Sequence, residues 1–329
     1  MAFVTCIRVM DGKILDSISN ARKVRENFMN LFIIGNGFDL YHSLPTQYKH
    51  FVEYMKKNFP QEYGWLYDSI KRYSLEYWDV IGKENDDIIW SDMENVLGSF
   101  EALELLEEHR DWNSPIGYKG PPSKEIQHLL NFGFNVSQYL NGWLEEIEPH
   151  IENIPSKEWL VNLFKKNEYS ILSFNYTMTI EQVYHLPVFH VHGKKGGKLI
   201  MGHGNGDGGD IIGEDFGINV INQKFIRKYF RETYKNPRRI MKKYLDYFEE
   251  DNLKRVKAVY VLGHSLNYID MPYIEKICRH MDSKVKWEIA YYNEDDRIYY
   301  QEIMKKIVKK NTDYELMSWR NFEDRYNLQ

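Results

Sequence analysis

Six short stretches of the chain carry residue types that can do chemistry, and each follows an apolar run: Gly35-Asn36-Gly37-Phe38-Asp39, Asn175-Tyr176-Thr177, His190-Val191-His192-Gly193, Gly202-His203-Gly204-Asn205, Gly263-His264-Ser265-Leu266 and Asn293-Glu294-Asp295. Glycine lets the backbone approach a phosphate, and a helix start behind it adds N–H donors and positive dipole. Gly35, Asn36, Gly37, Gly263 and Ser265 are therefore candidates for holding a pyrophosphate. Asn175 and Asn293 can donate and accept at once, as ribose hydroxyls require. His192, beside Gly193, is a candidate general base near neutral pH, while His190 reads more simply as a packed residue. Asp39 is either a carboxylate facing a developing cation or the cap of the helix that follows; the residues do not choose between them.

The elements that must position these groups follow from periodicity. "LFII" at 31–34 is a short apolar run closed by glycine, as in a buried parallel strand. Further strands are expected at 169–174, 188–193, 198–204, 258–264 and 286–293. Tyr48, Phe51, Val52, Met55 and Phe59 share one helical stripe, for which Thr46 or Ser43 could provide the cap. A long helix is expected within 125–151, and 225–250 reads as helix broken near Pro237. Residues 1–30 read as a lead-in with a short helix at 17–28. Residues 61–165 form a helical insertion that separates the first strand from the others and covers the sheet as a lid. Residues 31–60 and 166–329 then make a Rossmann-like domain, a doubly wound and mostly parallel α/β sheet. Ligands of such sheets bind beyond the carboxyl ends of the strands, where all six stretches fall. Asp92 and Glu94 in the insertion lie two apart, so on a helix at most one faces the site.

The totals remove other classes. A net charge of −5 gives no global attraction to nucleic acid, and the basic run from Arg227 to Arg239 reads as a solvated helix face. No apolar run approaches the ~20 residues of a membrane span, and the start lacks a basic head followed by a long apolar stretch, so a cytoplasmic protein is expected. The two cysteines, Cys6 and Cys278, cannot make a four-thiolate zinc site or a disulfide framework.

The opening segment "IIGNGFDLYHSLPTQYKHF", with "WSDMENVL" (90–97), "SFNYTMTIE" (173–181), "HVHG" (190–193) and "VLGHSL" through Asp270, resembles the AbiH family, associated with abortive infection of bacteria by phage. The same residues are similar, more distantly, to a sirtuin-type NAD site. Gly35 to Pro45 keeps the sirtuin glycine-to-proline spacing, Asn175 stands at the asparagine, Asn175-Tyr176 with Glu181 resembles the sirtuin-like defence NAD hydrolases, and His192-Gly193 matches His-Gly. Gly263-His264-Ser265 stands for Gly-Thr-Ser, and Tyr292-Asn293-Glu294-Asp295 for the last motif. Thr46-Gln47-Tyr48 replaces Asp-Phe-Arg, Thr177 replaces an aspartate, and the zinc module is absent, which argues against a protein deacylase. The resemblance implies an anti-phage effector that hydrolyses NAD, its substrate rather than a resident cofactor. Pyrophosphate would lie on 35–37, Gly263 and Ser265, the adenosine ribose on Asn293, and the reacting centre on Asn175 and His192. The expected partners are NAD or a related nucleotide, with a phage-derived trigger and self-association left open; no metal is expected. A metal-dependent phosphoesterase and a non-catalytic nucleotide sensor are the competing readings.

Overall fold

The computed structural model describes residues 29–73, 93–98, 124–166, 168–204, 220–244, 247–308 and 312–327. The helix expected at 17–28 and the side chain of Asp92 lie outside them. Six parallel strands, β1 (Met29–Ile34), β2 (Glu168–Ser173), β3 (Phe189–His190), β4 (Val256–Leu262), β5 (Lys286–Tyr291) and β6 (Tyr314–Ser318), form one sheet in the order β3-β2-β1-β4-β5-β6. This is the Rossmann order, with its reversal between β1 and β4.

Alternation along β1 explains why the sheet is covered twice. Leu31 and Ile33 join Leu172, Val259, Val261 and Ile289 on one face. There they meet Tyr273, Ile274 and Ile277 of α11 (Met271–His280) and Met304 of α12 (Glu294–Ile307). Phe32 and Ile34 join Ile171, Tyr260 and Leu262 on the other face. These pack on Trp159, Leu163 and Phe164 of α6 (Glu158–Lys165) and Phe322 of α13 (Trp319–Asn327). Strands buried on both faces carry near-continuous apolar runs, as the centres of β1 and β4 do. Three short helices complete the sheet layers: α1 (Asn36–Tyr41), α7 (Thr179–Tyr184) and α10 (Glu250–Lys254).

A separate helical core joins α2 (Tyr48–Asn58), α3 (Pro60–Tyr73), α4 (Met93–Gly98), α5 (Lys124–Glu152) and α8 (Val220–Glu232). Phe51, Val52 and Met55 of the predicted stripe are buried in it, and Gln47, rather than Thr46 or Ser43, occupies the N-cap of α2. Hydrophobic contact thus crosses the expected limits of the insertion at both ends. α2 and α8 pack with the helices, whereas α6 packs on the sheet.

The break near Pro237 is present. α8 ends at Glu232 and α9 (Pro237–Lys243) begins with the proline at its first turn, where its missing N–H costs nothing; Asn236 caps it by accepting from Arg239 N–H. The strand expected at 198–204 is not formed. That segment bonds instead to the turn between α8 and α9: His203 N–H donates to Thr233 O, Lys235 N–H donates to His203 O, and a Cβ at Gly202 would lie 1.6 Å from Thr233 O. β6 was not expected; its run is short and polar, with only Met317 buried. Among the described residues no helix is long and apolar enough to cross a membrane.

Candidate functional site

The register of the central strands brings the candidate residues to one level. Ile34 lies beside Ser173 on one side and Leu262 on the other, so Gly35, Phe174 and Gly263 leave the sheet together. A cleft of about 570 Å³ opens there, between the sheet and the helical layer. Gly35, Asn36, Gly37, Asp39, Asn175, His192, Gly263 and Ser265 all line it. Asn293 does not. It is exposed at the N-cap of α12, where it accepts from Asp296 N–H while the Asp296 carboxylate accepts from Asn293 N–H. Its place after a strand is therefore accounted for by a capping box, not by the cleft.

The glycines have a structural reason. A Cβ on Gly35 would stand 2.4 Å from His264 Cα, and one on Gly263, whose φ is +72°, would stand 2.2 Å from Phe38 N. Two turns press backbone to backbone across β1 and β4. Their N–H groups are engaged as well: Gly35 donates to Leu262 O, Gly37 to Gly263 O at 2.8 Å, and Phe38 to Gly35 O. The N–H groups of Gly35 and Gly37 in the expected pyrophosphate cradle therefore already serve the chain. Gly35→Ala, which must move backbone, is expected to cost about 2–3 kcal/mol. Gly64→Ala, in α3 with open space around it, should stabilise by about 0.5–1 kcal/mol. Denaturant midpoints of the two variants check the pair.

Asp39 does not cap α1, whose N-cap is Gly35 without a side-chain bond. Its carboxylate accepts from Thr177 Oγ1 at 2.6 Å and Thr179 Oγ1 at 2.7 Å, tying α1 to the turn after β2. Burial pushes its pKa up to about 6 against those two donors. Asn36 donates to Thr46 O, and Asn175 donates to Gly35 O at 3.1 Å. His190 braces the same turn, bonded to Asn175 O and to the Glu181 carboxylate, and does not line the cleft.

The floor is a buried polar cluster. Asp270, just ahead of α11, has one carboxylate oxygen 3.5 Å from His192 Nε2 and the other 3.5 Å from His264 Nε2. Burial acts against the Asp270 charge, but Lys235 and the two imidazoles outweigh it and hold the pKa well below the usual carboxylate range. Burial, aided by Lys235, pushes His192 down to about 3, so it is neutral. Glu94, from α4, meets Lys235 Nζ at 2.6 Å, and Tyr48 donates to the same oxygen at 2.9 Å. Burial raises the Glu94 pKa, with Lys235 opposing. Glu94, one of the pair in the insertion, lines the site.

Sequence reasoning did not assign Asp270, Lys235, Tyr48 or His264 to the floor. Asp270 and His264 stood inside the quoted "VLGHSL" segment through Asp270, the signal that was available. Lys235 gave none, since its basic run reads as a solvated face; it is only 3% exposed. Among the described residues no three His, Cys, Asp or Glu side chains are grouped so that they could hold a metal ion.

The segments that meet at this cleft are those on which the family resemblance rested. The model of the family described as bacteriophage abortive infection AbiH matches residues 31–291. A search of curated proteins gives no match. The match spans the sheet from β1 to β5, the helical layer and every residue of the cleft floor, and the chain belongs to the AbiH family of bacteriophage abortive infection.

Proposed function

We propose that this abortive-infection protein acts by hydrolysing NAD, or a closely related nucleotide, to nicotinamide and ADP-ribose in the cleft. One observation carries the reading: a nucleotide-sized cleft at the reversal of a Rossmann-ordered sheet gathers buried carboxylates and a neutral imidazole on its floor. The ground state of NAD carries a pyridinium cation, and loss of its leaving group proceeds through an oxocarbenium-like transition state. Fixed negative charge in a water-poor site stabilises such a cation more than it would in water. Asp270 supplies that charge next to His192. Asp39, with its pKa near 6, is partly protonated around neutrality and contributes less.

Because the donors on Gly35 and Gly37 serve the chain, the pyrophosphate is assigned to the mouth. Ser265 is exposed there, and Lys49 and Asn267 also line the cleft. Asn175 lies near the reacting centre and the adenosine contacts leave Asn293 out. The test is intracellular NAD measured through phage infection in cells carrying wild type or His192→Ala. NAD should collapse with the wild type and hold with the variant; steady NAD in the wild type would refute hydrolysis.

A further inference from the structure

Two of the buried polar atoms that find no hydrogen-bond partner among the described residues face each other on the cleft floor, with the Tyr273 hydroxyl, also without one, beside them. The facing pair are Oδ1 of Asp270 and Nε2 of His192, both buried and 3.5 Å apart. The two side chains are 8% and 1% exposed. Burying such atoms without partners is costly, so a pair of them facing each other in a cleft points to a small ligand group.

The chain distinguishes the two oxygens of Asp270. Leu266 N–H donates to His264 Nδ1 at 2.9 Å, in a turn that holds Leu266 at a φ of +52°. That bond fixes the His264 proton on Nε2, which faces Asp270 Oδ2 at 3.5 Å. Oδ2 is thereby oriented by His264, and Oδ1 is left for the cleft. A carboxylate only accepts, and a neutral imidazole with its proton on Nε2 donates. The group that answers both is one that donates and accepts through a single oxygen, a hydroxyl.

We propose that Asp270 and His192 seat the nucleophilic water. Asp270 Oδ1 accepts a hydrogen bond from this water, and His192 Nε2–H donates to its oxygen. The inference rests on the NAD-hydrolysis reading and reassigns its roles, with His192 a donor rather than the base and Asp270 a catalytic residue. In the step, the bond between the ribose anomeric carbon and the pyridinium nitrogen breaks. Its electron pair goes to nitrogen, which leaves as neutral nicotinamide. The water oxygen bonds to the anomeric carbon, and one water proton passes by Asp270 to solvent. NAD and water become nicotinamide, ADP-ribose and a proton. A weakly basic carboxylate suffices, because the carbon is already cationic when water attacks and the proton leaves late. The groups facing Asp270 are Lys235, His192 and His264, with Glu94 behind Lys235 and the Tyr273 hydroxyl beside them.

The experiment uses the full chain and NAD. Asp270→Asn is expected to lower kcat for nicotinamide release about 100-fold or more, with the Kd for NAD by calorimetry within about threefold of wild type. Formate, a small carboxylate, should restore turnover to Asp270→Ala where chloride does not; a merely structural aspartate gives no such rescue. A crystal structure of the wild type with ADP-ribose, independent of how any variant folds, should show a water bridging Asp270 Oδ1 and His192 Nε2. Wild type that turns over while Asp270→Asn keeps its kcat overturns this inference alone, as does a ribose hydroxyl, or no oxygen, between the two atoms. Wild type that releases no nicotinamide, with or without phage components, overturns the hydrolysis reading and the inference with it.

Discussion

Lys235→Met should destabilise the folded protein by about 3–5 kcal/mol at pH 8, the cost of removing one partner of a buried ion pair. Lys235 and Glu94 are 3% and 10% exposed at the side chain and 2.6 Å apart. Without the ammonium, Glu94 keeps the Tyr48 hydroxyl at 2.9 Å as its main donor, and Asp270 repels it from the same cluster. The loss should shrink as pH falls, because burial already raises the Glu94 pKa and a protonated Glu94 no longer carries an uncompensated charge. Glu94→Gln should be costly for the mirror reason, since it strands the ammonium. The double variant Lys235→Met/Glu94→Gln should recover most of what either single change loses. Denaturant unfolding of the four proteins gives the coupling energy. Losses below about 1 kcal/mol for both single variants would mean that the pair does not hold α4 to the turn between α8 and α9.

Acidification should produce the second large effect. Burial lowers three histidines: His42 to about 4, His192 to about 3 and His203 to about 4. Their folded pKa values lie below the unfolded value, so the unfolded chain binds more protons between those values and about 6.5. Stability is therefore full above about pH 6.5 and is lost as pH falls below it. Each histidine contributes a loss of about 2 kcal/mol between pH 8 and pH 5. Asp39 has the opposite sign. Its folded pKa, about 6, exceeds its ordinary 3.8, so acidification in the same window returns about 1 kcal/mol. The net expectation is a loss of roughly 5 kcal/mol, a large share of the stability of an ordinary domain. His42 shows the local cause. Its Nδ1–H donates to Phe38 O at 2.7 Å and its Nε2 accepts from Tyr184 OH at 2.7 Å, so a second proton would displace that hydroxyl. Urea midpoints at pH 8, 6.5 and 5 check the slope; a flat profile would show that the histidines are not held neutral.

The sheet and much of the cleft's rim were legible for a definite reason. Strands buried on both faces leave unbroken apolar runs such as "LFII", and a chain leaving such a strand marks the turn with glycine, asparagine or histidine. β6 was not legible because its strand is polar and short. The segment 198–204 misled because "KLIMGHG" has the composition of a strand, while Gly202 admits a close approach to Thr233 that only the folded chain offers. Asn293 misled for a related reason, since a helix cap and a ribose ligand call for the same donor and acceptor. At Asp39, the cap role went to Gly35, and the carboxylate accepts instead from Thr177 in the turn after β2 and from Thr179 at the start of α7.

By itself the sequence determined the fold class and the family, because these follow from local hydrophobic patterning and motifs; of its six candidate segments, four meet at the cleft. Tertiary structure decided which atoms in those segments remain for chemistry. The N–H groups of Gly35 and Gly37 are taken by β4 and its turn. Lys235, read as solvated, is drawn inside by Glu94 from another element. Asp270 is set between His192 and His264 by the meeting of the segments that follow β3 and β4. Burial and pairing across elements distant in sequence set charge states and free hydrogen-bonding positions, and no local pattern records them.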